Sequence, residues 1–341
     1  MTVSLIYSNF ASDISWIQDR IASDVFSLPR NKKAAGLYFT RKRLQILKGA
    51  SLRGISPSVG RPVPYAAFWF ADALALKDSE FVRQMGLCMV YNSLTTTIKD
   101  DLEDSSAGNR ATLEFLRRYW NYKYSEVVNS IVPAGSAYWR TADTAKEQWW
   151  RYDKWNQSFD QSAEFNPYSD RFLGSSSRYF VAVVLPPLAA IAAHAGRPRE
   201  IKRIYQFLRA FSKGWRVFDD LMDWQRDIRS PRLNRSSVLY YLAKRLPPKT
   251  PMKPNYVLGS FLSREFVDDT YGAILRNLRS AGEVLVPLNN SYLSSFIREQ
   301  LEFHTKRRDA LLGFGGTAIA SLSSIISKTN RIVPQFVERA A

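Results

Sequence analysis

The stretch Ile204–Asp227, IYQFLRAFSKGWRVFDDLMDWQRD, decides the fold class. Ile204, Leu208, Phe211, Trp215, Phe218 and Met222 are separated by 4, 3, 4, 3 and 4 residues. That is the seam of a long helix packed on other helices. Beside the seam, Asp219-Asp220-Leu221-Met222-Asp223 continues to Asp227, so Asp219, Asp223 and Asp227 form a ladder one turn apart. A second acidic group, Asp100-Asp101-Leu102-Glu103-Asp104, closes another helical stretch. Asp78 or Ser79 is suited to cap that helix, which is predicted to run to about Asp104. Strand signals are scarce, and no internal repeat with a fixed period occurs. Turn chemistry places breaks at Gly54–Pro64, Ser105–Asn109, Asn166–Ser169 and Pro247–Pro254. The expectation is one all-α domain, a single-domain helical bundle over residues 1–341.

Carboxylates stacked one turn apart repel by about 4 kcal/mol per close pair at an effective dielectric of 20. At a helix C-terminus they also oppose the helix dipole. Solvated acidic helix ends paired with Lys and Arg are the plain alternative for one such cluster. Two Asp-Asp-x-x-Asp groups, 119 residues apart in a helical chain, call for something cationic. Oxygen-only ligands suit Mg²⁺, which commonly bridges carboxylates to substrate phosphates.

Composition narrows the partners. Of 341 residues, 48 are Lys or Arg and 31 Asp or Glu, a formal charge of +17, which implies an anionic partner. Nucleic acid is set aside because the basic residues are spread along the chain. The short clusters Arg41-Lys42-Arg43 and Lys306-Arg307-Arg308 read as solvated faces. Cys88 is the single cysteine, which leaves no disulfide framework and no thiolate metal site. Neither a signal-peptide pattern nor an uninterrupted apolar span occurs, so a cytoplasmic protein is expected. Peripheral membrane contact and a homodimer are both compatible with that. His194 and His304 form no constellation with neighbours in sequence, and Gly313-Phe314-Gly315-Gly316 reads as a turn. Nine Trp, 17 Tyr and 20 Phe suit either a large core or a pocket whose aromatic faces stabilise a cation.

The paired motifs resemble those of the trans-isoprenyl diphosphate synthases and their class I terpene synthase relatives. Gly60-Arg61-Pro62-Val63-Pro64 sits where that family has a basic Gly-Lys-Arg-x-Arg-Pro segment. Arg110 matches the second arginine of the Arg-Arg pair after the first motif. Arg235-Ser236-Ser237 resembles the Lys-x-Thr stretch after the second. The resemblance covers about residues 60–246. It implies a class I isoprenoid synthase bundle with a central active-site cavity, a prenyl diphosphate substrate and three Mg²⁺ ions. The implied metal ligands are Asp100, Asp101, Asp104, Asp219, Asp223 and Asp227, with Asp220 counted among the catalytic aspartates.

Departures from the family pattern bear on the reaction. The lysine of the first basic segment is missing, Asn109 replaces an arginine, and Ser175-Ser176-Ser177 stands where Lys-Thr is usual, with Arg178 the nearest cation. Those groups help the elongating synthases hold isopentenyl diphosphate. Their loss favours a class I terpene synthase that ionises and cyclises one C15 or C20 prenyl diphosphate. The alternatives are a prenyltransferase, elongating or acting on another acceptor, and a catalytically silent binding or regulatory homologue. Arg110, Arg178 and Arg235 are the candidates for phosphate contacts, which guanidinium forks suit. Beneath Asp100 the helix presents Thr96, Ser93, Met89, Gly86 and Val82, and the small Thr95 and Thr96 leave room for a long chain. Trp215 and Phe218 are candidate cavity walls, or equally core.

Overall fold

Side chains that can satisfy free amides open several of the helices. In this computed structural model, which describes residues 8–37, 62–104, 110–157, 166–228, 236–246, 250–261 and 263–313, the elements follow in this order. They are α1 (Ala11–Phe26), α2 (Pro62–Ala73), α3 (Ser79–Asp104), α4 (Arg110–Ile131), α5 (Ala137–Gln157), α6 (Asp170–Ser176) and α7 (Arg178–His194). After them come α8 (Glu200–Asp227), α9 (Ser237–Ala243), α10 (Pro254–Ser260), α11 (Arg264–Leu285), a 3-10 turn (Val286–Leu288) and α12 (Ser291–Gly313). No strand occurs among the described residues. Ser169, Ser236 and Ser263 cap α6, α9 and α11 by accepting the amides of Phe172, Leu239 and Phe266. Asp78 caps α3 by accepting the Phe81 amide at 3.0 Å, and that bond holds its carboxyl below the usual range.

The predicted span of α3, to Asp104, is what the structure has. The break expected across Gly54–Pro64 ends early, because Pro62 opens α2, where a missing amide and a fixed φ cost nothing. Residues 54–61 and 105–109 lie outside the described residues. Asn166–Ser169 is a turn, with the Tyr168 amide on the Asn166 side chain at 2.9 Å. Of the Pro247–Pro254 break, 247–249 lie outside, and Pro254 starts α10.

At the centre is α7, apolar almost all round, as a helix surrounded by other helices must be. It packs against α2, α3, α5 and α8. Pro186 and Pro187 lie inside it, and a proline removes the amide that would bond the carbonyl four residues earlier. The carbonyl thus released by Pro187 belongs to Val183, and Asn92 of α3 donates to it at 3.0 Å. The proline and the asparagine therefore form one locking device between two helices. His194, at the far end of α7, lies 3.0 Å from Asp78 and stacks on Phe81 at 4.1 Å.

The apolar seam of α8 is buried from Ile204 to Phe218 except for the half-buried Trp215. Met222 departs from expectation: it is 36% exposed, and the Arg307 guanidinium approaches its sulfur at 3.6 Å. Opposite the seam, α11 and α12 close the bundle. No helix among the described residues is long and apolar enough to cross a membrane.

Candidate active site

Contacts along α7 fix the directions of the two helices that carry the acidic motifs. Asp78 meets His194, while Asn92 meets Val183 nearer the start of α7, so α3 runs antiparallel to α7. Phe180 packs on Phe211 at 6.0 Å, and Val184 shares a narrow gap with Phe207, so α8 is antiparallel to α7 as well. The two motif helices are consequently parallel to each other. Asp100 lies eight residues beyond Asn92, and Asp219 lies eight beyond Phe211. At the helical rise each is about 12 Å past its contact, toward the end of α7 that begins with Arg178.

The second cluster is described in full apart from the Arg226 side chain. Asp219, Asp223 and Asp227 are half-buried, each with polar contacts already made. Asp220 differs. It is 2% exposed, and one oxygen faces Arg216 at 3.0 Å. The other accepts the Ser237 amide at 2.7 Å and its hydroxyl at 2.6 Å. Burial pushes its carboxyl up to about 7, against the pull of Arg216 and Ser237, with Asp219 adding to the rise. Both oxygens are thus engaged inside the protein, and Asp220 ties α8 to the start of α9. Two signals could have pointed to this device: Arg216 sits one turn before Asp220, and Ser237 follows the second motif closely.

Of the first cluster, Asp101 is half-buried and Leu102 packs into the core. The backbone at Asp100 and Asp104 is helical, and their side chains lie outside the described residues. Lys99 is held over the Trp149 ring at 4.4 Å, which anchors this end of α3 to α5. Among the described residues no three acidic, His or Cys side chains converge as a ready metal site. The donor set at this end, carboxylate oxygens from Asp101, Asp219, Asp223 and Asp227 without sulfur or imidazole, nevertheless fits Mg²⁺ chemistry.

Arg110 opens α4 and is exposed, and Arg178 opens α7 and is half-buried. Arg235, Gly60-Arg61 and Asn109 lie outside the described residues. Ser175 donates to the Arg171 carbonyl at 2.9 Å, and Ser177 is buried.

Along α3, Ser93 and Thr96 are half-buried, and the hydroxyls of Thr95 and Thr97 turn back to the carbonyls of Tyr91 and Ser93. Met89, Gly86 and Val82 are buried, and a methyl group at Gly86 would meet Ile17 at 2.9 Å and Phe68 at 3.5 Å. That part of the face is filled by α1 and α2. Phe218 is buried edge-on to His304 at 4.7 Å with Arg307 above its ring, whereas Trp215 stays half-buried. The gap walled by Trp69, Phe70, Phe180, Phe207, Phe211 and Phe296 amounts to only about 10 Å³, so it is closed to a chain.

No known family profile matches the sequence. No curated protein matches it. Solved structures do. The geranylgeranyl pyrophosphate synthase of Lactobacillus brevis superposes with a TM-score of 0.65 at 13% identity, covering 88% of this chain and 98% of that one. That of Corynebacterium glutamicum gives 0.63 at 14%, covering 88% and 93%. In complex with isoprenyl diphosphate and magnesium, the Corynebacterium glutamicum synthase gives 0.55 at 15%, covering 86% and 98%. A polyprenyl synthase of Roseobacter denitrificans gives 0.55 at 14%, covering 86% and 99%. The chain therefore has the all-α fold of the class I isoprenoid synthases.

Proposed function

We propose that this chain is a Mg²⁺-dependent prenyltransferase that ionises an allylic prenyl diphosphate and transfers the prenyl group. The observation that carries the reading is the common attachment of α3 and α8 to α7. It sends both Asp-Asp-x-x-Asp groups toward the end where Arg178 begins. The expectation of cyclisation gives way to transfer because the proteins sharing the fold are synthases of geranylgeranyl and polyprenyl diphosphates, one of them complexed with isoprenyl diphosphate and magnesium.

In this reading Asp101, Asp219 and Asp223 hold the metal, together with Asp100, Asp104 and Asp227. Bound Mg²⁺ supplies Lewis acidity that stabilises charge on the departing diphosphate. Arg110, Arg178 and Arg235 donate to its oxygens and hold the allylic carbon in place. The C–O bond breaks with its electron pair leaving on the diphosphate. An acceptor double bond supplies the pair for the new bond, and the resulting cation loses a proton to an oxygen of the departed diphosphate. Asp220 is a positioning residue, fixing the start of α9. Trp215, Ser93 and Thr96, all half-buried, are the side chains assigned to the prenyl chain.

Cyclisation stays as a second reading on one observation: the cations expected to hold a second diphosphate are replaced by Asn109 and Ser175-Ser176-Ser177. The test is to incubate the protein and Mg²⁺ with 10-, 15- and 20-carbon diphosphates, with and without labelled isopentenyl diphosphate, and to identify products by mass spectrometry. Transfer predicts label in a longer prenyl diphosphate at the rate of substrate loss. A hydrocarbon or alcohol formed from one substrate, with no label taken up, would replace it with cyclisation. Turnover should vanish in chelator, and Asp100→Ala or Asp219→Ala should each lower it at least about 10²-fold.

A further inference from the structure

Away from the carboxylates, Asn166, Pro167, Tyr168, Tyr241, Lys244, Arg245, Asp269 and Arg276 enclose a cavity of about 530 Å³. Its size is that of a small-molecule site. The Tyr168 and Tyr241 rings stack at 5.1 Å to form an aromatic surface, and the Arg245 guanidinium lies 3.6 Å from the centre of the Tyr241 ring. The one carboxylate in the lining is already engaged. Asp269 accepts the Tyr241 hydroxyl at 2.5 Å and faces Arg245 at 3.7 Å. Arg245 is further held by Glu265 at 2.7 Å.

Two cations remain without a carboxylate partner among the described residues. Lys244 lies only near the Tyr240 ring, at 5.2 Å. Arg276 lies back along α11, with one terminal nitrogen 3.2 Å from where a Gly272 side chain would begin. Cations from two helices facing one volume, with an aromatic wall and a neutralised carboxylate, make a site for an anion with an organic part.

We propose that this cavity binds a small organic phosphate through Lys244 and Arg276, without metal. A diphosphate group is the chemistry that suits two such cations, whether it arrives as free diphosphate or as a prenyl ester. The site does not depend on the proposed reaction. It is connected to the acidic end by α9, whose first residue Ser237 holds Asp220 and whose final turn leads into Lys244 and Arg245.

Calorimetric titration of the full chain in chelator tests this, with inorganic diphosphate and isopentenyl diphosphate as probes. Both should bind without Mg²⁺, and the ester more tightly if its organic part uses the tyrosine wall. The double variant Lys244→Ala/Arg276→Ala should weaken binding at least about 10-fold, the scale for losing charge-assisted contacts. Asp219→Asn should leave it unchanged. Both substituted cations are exposed, and circular dichroism of the double variant checks that the helices remain. Binding that is unaltered in the double variant, or absent until Mg²⁺ is added, overturns the proposal. Turnover of an allylic diphosphate, measured separately, reports on the acidic end alone.

Discussion

Asp220 shows how two neighbouring aspartates of one motif come to differ. Removing its carboxylate takes the acceptor of the buried Ser237 amide and hydroxyl and one ion-pair partner of Arg216. Asp220→Ala should therefore cost about 2 kcal/mol of stability, the scale of a buried polar group left unsatisfied. Asp223→Asn should abolish turnover and leave stability within about 0.5 kcal/mol. Denaturant titration of both variants checks the contrast, and an Asp220→Ala variant as stable as the parent sinks the positioning role. A second residue pair sets a pH dependence. Burial raises the Glu299 carboxyl to about 7, opposed by Arg298 and helped by Glu302, and neither of its oxygens has a hydrogen-bond partner among the described residues. Between its ordinary pKa of 4.5 and about 7, the folded chain keeps a proton that the unfolded chain has released. Stability from this group accordingly falls as pH rises through that window. Buried His304 works in the opposite sense. Its pKa is lowered to about 3, so below 6.5 the unfolded chain gains a proton that the folded chain refuses, and stability falls with falling pH. Glu299→Gln removes only the first effect. Thermal unfolding at pH 5 and pH 8 should show the variant gaining on the parent at the higher pH, and equal differences at both values would refute this reading.

At Gly214 the backbone of α8 lies close against α11. A methyl group there would lie 3.1 Å from the Ile274 carbonyl oxygen and 3.5 Å from Asn277 and Leu278. Alanine improves helix propensity by up to about 1 kcal/mol. A backbone oxygen cannot swing aside as a side chain can, so Gly214→Ala should be a net loss of about 1–2 kcal/mol. Gly174→Ala is the control, since its methyl group would meet chiefly the flexible end of Arg209. A Gly214→Ala variant that unfolds later than the control contradicts the packing account. The seam facing α11 and α12 was legible from Ile204 to Phe218 because spacing of 3 and 4 reports burial directly. It failed at Met222, where the neighbour is the guanidinium of Arg307, whose charged end keeps that edge in water. The part played by α7 was not legible. Two prolines in an apolar run suit a broken helix as well as a central one, and the asparagine that takes up the carbonyl released by Pro187 lies 91 residues before that carbonyl. The acidic motifs could be read in the sequence as a candidate metal site. Their common direction could not, because it rests on contacts with that third helix.

Over the whole molecule, a charge of +17 coexists with carboxylates carried toward one end of the bundle and uncommitted cations gathered beside Tyr168 and Tyr241. Diphosphate should meet these two regions in different ways, and the protein's melting temperature can separate them. In chelator the proposed metal–diphosphate complex at the acidic end does not form, so the rise in melting temperature that the basic cavity gives should disappear in Lys244→Ala/Arg276→Ala. With Mg²⁺ present, the acidic end becomes a second site, because the metal offsets the repulsion among carboxylates and bridges them to phosphate. A ligand at 100 times its dissociation constant contributes about 2.7 kcal/mol. For a chain of this size that is on the order of 5 °C. The increment on adding Mg²⁺ should persist in the cavity variant and be lost in Asp219→Asn. If Mg²⁺ adds nothing to the diphosphate shift of the parent protein, the carboxylates do not hold a metal–diphosphate complex, and the proposed reaction loses its site.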